Sequence, residues 1–207
     1  MNKSIQIITI ILMLPILGLS QSKISVGLNL NTSMNFLKNE DSQSERGQGY
    51  SIGVQAQSTL SERLFLRGGI NYQSIKYNNT GQARWPSGDI STYENEATIT
   101  SIGLPIDLGC NLNSKNSNVT YFLALSGLIN VNLENRIEVQ GLGNSSETNN
   151  EIHKLSSSIG LIGGLEIQVS DKIIVGIEPN FRYGSIFTSP SSKSRMIESG
   201  LTLRIRI

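Results

Sequence analysis

The chain has 207 residues, enough for one domain of ordinary size, and its 17 basic and 16 acidic side chains leave a net charge of +1. With no basic stripe to neutralise phosphates, nucleic acid is disfavoured as a partner, and the single cysteine, Cys110, excludes an internal disulfide framework and a cysteine-based zinc site. Charged residues (16%) and hydrophobic residues (38%) are both scarce, whereas a soluble domain with so few charges would carry a larger apolar share.

The chain opens on a targeting pattern. Lys3 supplies a positive start, an apolar run extends from Ile5 to Leu19, and the small residues Gly18 and Ser20 precede a plausible cleavage before Gln21. The run falls short of the roughly 20 apolar residues of a spanning helix. Residues 1–20 therefore read as a cleaved signal peptide and 21–207 as the mature domain. An uncleaved anchor is the alternative. No cysteine follows the run, which disfavours a lipoprotein.

The mature chain alternates apolar and polar residues with period two, the signature of β-strands with two unlike faces. Eight segments read this way, near 24–37, 49–60, 64–77, 97–112, 119–133, 155–169, 173–187 and 197–207. In the first, Ile24, Val26, Leu28 and Leu30 oppose Ser25, Gly27, Asn29 and Asn31. In the last, Ile197, Leu201, Leu203 and Ile205 oppose Glu198, Gly200, Thr202, Arg204 and Arg206. Ser61-Glu62-Arg63 and Ser170-Asp171-Lys172 are tight turns, and 113–118 is a short polar loop. The connections near 38–48, 78–96, 134–154 and 188–196 are longer. Short and long connections alternate, as in the up-and-down barrels of outer membranes, with short periplasmic turns and longer extracellular loops. An even strand count puts both termini on the periplasmic side. Pro105 and Pro179 count against the strand assignment at those points, since proline cannot donate to a ladder; a local bulge would accommodate each.

Alternation alone also fits a soluble lipocalin-like barrel with an apolar cavity. Three features favour the membrane orientation. The segments are long enough for tilted strands to cross a bilayer. The polar face holds Gly, Asn and Ser, which suit a crowded interior. Tyr50, Tyr72, Tyr121, Phe181 and Tyr183 sit near segment ends on the greasy face, where interfacial girdles form. The polar face also carries Arg67, Asp107, Glu166, Glu178, Arg182, Glu198, Arg204 and Arg206, four acids and four bases. An Arg or Lys facing lipid at the midplane costs about 2–4 kcal/mol, so these groups should point inward. An eight-stranded barrel has room inside for side chains only, so the charges are expected to form a salt-bridged filling, with Glu178 near Arg204 or Arg206.

The pieces Leu60-Ser61-Glu62-Arg63-Leu64, Gly103-Leu104-Pro105-Ile106-Asp107-Leu108 and Gly176-Ile177-Glu178-Pro179-Asn180-Phe181-Arg182-Tyr183, with the terminal alternating segment, resemble the small PorT-like outer-membrane barrels of Bacteroidota-type Gram-negative bacteria. The resemblance spans the mature chain. It implies an eight-stranded antiparallel transmembrane β-barrel, insertion by the outer-membrane assembly machinery, and contact with outer-membrane lipid. It implies no particular activity. Ile207 departs from the aromatic residue that usually ends such barrels.

No residue set for catalysis, a metal or a cofactor emerges. His153, the one histidine, lies in the third long connection with no second ligand nearby. Cys110 falls on the greasy face as a small hydrophobe. Gly160-Leu161-Ile162-Gly163-Gly164 lacks the strand-to-helix context and the Lys of a phosphate loop. Trp85, in Trp85-Pro86-Ser87-Gly88, is a candidate loop contact for an extracellular or periplasmic protein of unknown identity. The expected function is a structural or loop-mediated interaction role without catalysis. The alternatives are a narrow pore or export component, a lipid-modifying enzyme and a soluble carrier.

Overall fold

In the computed structural model, the residues described are 24–38, 45–84, 90–113, 118–140, 146–149, 155–189 and 192–207. They form β1 (Ile24–Lys38), β2 (Glu45–Thr59), β3 (Leu64–Arg84), β4 (Ile90–Asn111), β5 (Val119–Gln140), β6 (Ser146–Asn149), β7 (Leu155–Gln168), β8 (Ile174–Ser189) and β9 (Ser192–Arg206). All pairings are antiparallel. The sheet runs β4-β3-β2-β1-β9-β8-β7-β5 and closes through β4–β5. Eight strands thus make a barrel. The ninth, β6, was not anticipated; it pairs only with Arg136–Val139 of β5 in the hairpin leading to β7. At the seam, β1 meets β9, and Val26 and Ile207 exchange backbone hydrogen bonds of 3.1 and 2.8 Å.

The strands are staggered around the barrel. From Met34, the ladders lead through β2, β3 and β4 to Arg136 on β5; the other way round they lead to Leu125. This stagger of about ten residues makes the strands tilt and leaves an interior that side chains fill.

Alternation decides the two faces. Leu28 is 59% exposed on the outside, whereas the next residue, Asn29, is 2% exposed inside. The rows led by Leu28, Ile52, Ile70, Ile106, Leu125, Leu161 and Leu203 cover the outer wall. A soluble protein does not display such a continuous apolar surface. Outward Phe36, Tyr50, Tyr72 and Tyr183 form a band toward one end, where the longer hairpins are; Tyr121 alone marks the other, turn-bearing end. At that end serines close the turns. Leu64 N–H donates to Ser61 Oγ at 3.2 Å and Ile173 N–H to Ser170 Oγ at 3.2 Å.

Three expectations need correction. First, the long connections are largely continued ladder: β3 reaches Arg84, β4 begins at Ile90, and β8 and β9 leave only 190–191 between them. Strict alternation of long and short connections therefore fails at β8–β9. The cause is a change of phase. Beyond Tyr72, the apolar residues of β3 are Ile75 and Tyr77, which face inward, while Ser74 and Lys76 face out. A template with apolar residues outward loses the strand there.

Second, neither Pro105 nor Pro179 sits at a bulge. The β3–β4 ladder pairs Gly68 with Ile106 and resumes at Asn71 with Gly103, in the same register. The β7–β8 ladder likewise passes from Ile162–Asn180 to Leu165–Ile177. Each proline lies where one ladder skips two pairs, so the missing N–H breaks no bond there. The register shifts instead between Thr100 and Ser101 on the β5 side and between Phe187 and Ser189 near the β8–β9 tip. Third, the lumen is not purely polar, as its contents make plain.

Candidate functional site in the barrel lumen

The eight charged residues picked out on the polar face all point inward, and seven are buried, with Arg206 partly so. Their hosts are β3 (Arg67), β4 (Asp107), β7 (Glu166), β8 (Glu178, Arg182) and β9 (Glu198, Arg204, Arg206). They fall into two groups. The larger is a chain of six toward the turn-bearing end. Asp107 Oδ2 lies 2.7 Å from Arg67 Nε, and the Arg67 fork meets Glu178 at 3.1 and 3.2 Å. Glu178 Oε2 is 2.6 Å from Arg204 Nη2. Glu166 lies 3.9 Å from Arg204 and 2.7 Å from Arg206, which also donates to Ser25 Oγ. The fork of Arg67 on Glu178 is the two-point geometry that a guanidinium makes best.

The second group lies nearer the hairpin end. Arg182 Nη1 donates to Glu198 Oε1 at 2.9 Å, and its Nε and Nη1 reach Ser126 and Asn180 at 3.5 Å. Asn180 continues to Asn31 Oδ1 at 3.1 Å, which also accepts from Thr202 at 3.1 Å. Buried charges need partners of this kind, because a lone ion in the interior carries a large desolvation penalty.

Two apolar clusters complete the filling, and the expectation of a polar lumen is corrected on this point. Phe65, Phe122, Ala124 and Ile162 pack beside the larger ion group. The two rings meet edge-to-face at 5.5 Å, and the Arg67 guanidinium sits 5.8 and 5.6 Å from their centroids. Glycines make the space: a Cβ on Gly109 would stand 2.0 Å from the Phe65 ring, and one on Gly164 2.2 Å from the Phe122 ring. At the hairpin end, Leu37, Ile75, Tyr77 and Met196 close the lumen, with Ala97 and Ile99 packed against them. The Tyr77 hydroxyl donates to Met196 Sδ at 3.7 Å. Of these residues the sequence reading assigns Ala124 to the inward face of its strand and singles out neither phenylalanine, nor Tyr77, nor Met196. The signal was there: Phe65 and Phe122 sit one position off the outward rows of β3 and β5.

Cys110 lies on the outward row, half-buried, its thiol 3.6 Å from the Asn111 carbonyl. Trp85 and His153 lie outside the described residues. Among the described residues, no three His, Cys, Asp or Glu side chains converge as a metal site.

A family model described as an outer membrane protein beta-barrel domain matches residues 19–188. Comparison with curated proteins gives no match. Among solved structures, neisserial surface protein A is similar at 16% identity and TM-score 0.44, over 87% of this chain and 96% of that one. OprG of Pseudomonas aeruginosa is similar at 5% identity and TM-score 0.44, over 89% and 95%. Ail, the attachment invasion locus protein of Yersinia pestis, is similar at 9% identity and TM-score 0.39, over 88% and 98%. With the inside-out wall and the closed eight-stranded sheet already in hand, the family match leads to one conclusion: the chain belongs to the outer membrane protein beta-barrel domain family, and it resides in the outer membrane of a Gram-negative bacterium.

Proposed function

We propose that this barrel is a closed, non-conducting and non-catalytic scaffold that presents its hairpins outside the cell. Residues 1–20 act as a cleaved signal peptide, and 21–207 are the mature barrel, inserted by the outer-membrane assembly machinery. The termini and serine-closed turns face the periplasm. The β3–β4 and β5–β7 hairpins face outward, with Trp85 as a candidate contact for a protein partner. Within the family, PorT-like barrels are the proposed subgroup, on the residues quoted above.

One observation carries the reading. Arg67, Asp107, Glu166, Glu178, Arg204 and Arg206 are linked into a continuous ion group beside the Phe65–Phe122 pair, and the apolar cluster at Tyr77 closes the lumen nearer the hairpin end. A conduit needs a wetted, weakly held path, and here arginine forks are engaged and the hairpin end is sealed by hydrocarbon. The eight charges thus serve as a structural plug.

Planar-bilayer recording tests it. The wild-type barrel is expected to show no steady conductance, while Tyr77→Ser with Met196→Ser opens the hairpin-end seal. A steady wild-type current lost on Arg67→Met would make the protein a narrow pore instead. Surface labelling of an epitope inserted at 85–89 in intact cells tests the orientation.

A further inference from the structure

We propose that Met196 is a modification site: a hydroperoxide arriving from the hairpin end oxidises its thioether to the sulfoxide, and the oxidised side chain unfastens the apolar cluster that caps the lumen. That the cluster acts as a seal rests on the closed-barrel reading above; the contacts of the sulfur do not.

Beyond residue 20 the chain carries three sulfur atoms, in Met34, Cys110 and Met196. Met34 and Cys110 lie on outward rows of the wall, and Met196 faces the lumen. It stands opposite Leu37, one pair below Lys38–Arg195 at the hairpin end of the β1–β9 ladder. Tyr77 reaches it from β3, with β2 and β1 lying between β3 and β9 in the sheet. The phenol thus crosses that end of the lumen like a bolt, and its hydroxyl donates to Met196 Sδ at 3.7 Å. Behind the bolt, β2 presents Gly47. A Cβ there would stand 2.6 Å from Tyr77 Cδ1, so the ring already fills that space and has no room to retreat toward β2. Leu37 and Ile75 complete the cluster, with Ala97 and Ile99 packed against it.

The step balances with the peroxide alone. A sulfur lone pair attacks one peroxide oxygen, the S–O bond forms as the O–O bond breaks, and the departing oxygen leaves as water after taking a proton. Sulfur loses two electrons and the peroxide gains them. Neither lone pair offers the new oxygen a place. Toward the phenol, a hydrogen bond of ~2.7 Å to the Tyr77 oxygen would leave less than the length of a sulfur–oxygen bond in the 3.7 Å gap. On the other side the sulfoxide dipole would enter hydrocarbon at Leu37 and Ile75, where nothing donates to it. Either way the bolt is pushed out of line. A leucine here would fill nearly the same volume, but it could be neither opened by an oxidant nor reset by a sulfoxide reductase. Met196 is 3% exposed, so the oxidant meets it during local openings, and its reaction is slow beside that of Met34, which is 60% exposed.

The test uses the full mature chain folded in detergent micelles, with Met34→Leu to leave one methionine. The sample is treated with hydrogen peroxide, peptide mass spectrometry measures Met196 sulfoxide, and amide hydrogen exchange is followed in peptides covering 33–38 and 194–199. Full conversion of Met196 is expected to speed exchange there about tenfold or more, while a peptide covering 64–68 at the turn-bearing end keeps its rate. Methionine sulfoxide reductase should restore the slow rate, and Met34→Leu/Met196→Leu should not respond to peroxide. Heat-modifiable migration on a gel reports folding; if the double variant fails it, the comparison before oxidation, after oxidation and after reduction within the single variant decides. Met196 that resists a treatment about tenfold longer than wild-type Met34 needs for full conversion overturns the proposal. So does full oxidation that leaves exchange unchanged, a rise of equal size at both ends, or a rise that persists in the double variant. The two readings fail separately: a steady wild-type current before oxidation sinks the closed barrel, and unchanged exchange after oxidation sinks the modification site.

Discussion

The two ends of the barrel wear the same alternation with opposite sense. Toward the turn-bearing end, Arg67, Asp107, Glu166, Glu178, Arg204 and Arg206 are inside and Leu64, Ile106, Leu123, Ile177 and Leu203 are outside. Toward the hairpin end, Leu37, Ile75, Tyr77 and Met196 are inside, and Lys38, Arg46, Lys76 and Arg195 are outside. One continuous wall is therefore inside-out below the aromatic band and built like a water-soluble barrel above it. The reversal marks where the wall leaves the hydrocarbon. Water, not lipid, decides which face is apolar there.

Substitutions can break or sharpen that contrast. The largest effect is expected at Arg67. Asp107 has no other cation among the described residues, and Glu178 loses a bidentate partner, so Arg67→Met should destabilise the barrel by about 3–5 kcal/mol in urea unfolding from vesicles. A loss under about 1 kcal/mol would mean that the ions do not anchor the lower half. Next comes the hairpin-end seal. Met196→Ala removes a buried side chain from the cluster and should cost about 2–3 kcal/mol in the same assay. If the upper half were an unpacked loop assembly, this change would be silent.

Gly109→Ala drives a methyl into the Phe65 ring and should cost about 1–3 kcal/mol, much of it recovered when Phe65→Leu is added. Strict additivity of the two changes would show that the ring is not held against Gly109. The smallest effect belongs outside: Glu96→Gln breaks the exposed pair with Lys76 and should shift stability by less than about 1 kcal/mol. A larger loss would place that pair away from water.

How much of this was legible follows from the same contrast. Below the aromatic band, outward Leu, Ile and Val in strict alternation announce the strands, and the charges on the other parity can only go inside. The barrel and the inward face of Glu178 and Arg204 follow from that pattern. Their partners do not, because which acid meets which base depends on the stagger between strands. Above the band, Ile75 and Tyr77 shift the apolar parity by one, so a reading tuned to lipid-facing rows stops at the water line and takes the rest for loop. Pro105 and Pro179 misled for a related reason. A proline in a strand suggests a bulge locally, whereas the ladder gaps beside Gly69 and Gly163 are a property of the neighbouring strand.

The seam between β1 and β9 carries a consequence for how the protein comes into being. Gly27 pairs with Arg206, so the β1–β9 ladder joins the first and last barrel strands across nearly 180 positions of sequence. Contacts of such separation form slowly, since the chain entropy of bringing the ends together is lost before the contact forms. Until then β1 and β9 are raw edges, able to recruit any passing strand. Until the two edges meet, copies of the chain are therefore liable to pair with one another edge to edge. Stalling that final closure, for instance by deleting β9, should convert the protein from a monomeric barrel into an edge-to-edge aggregate.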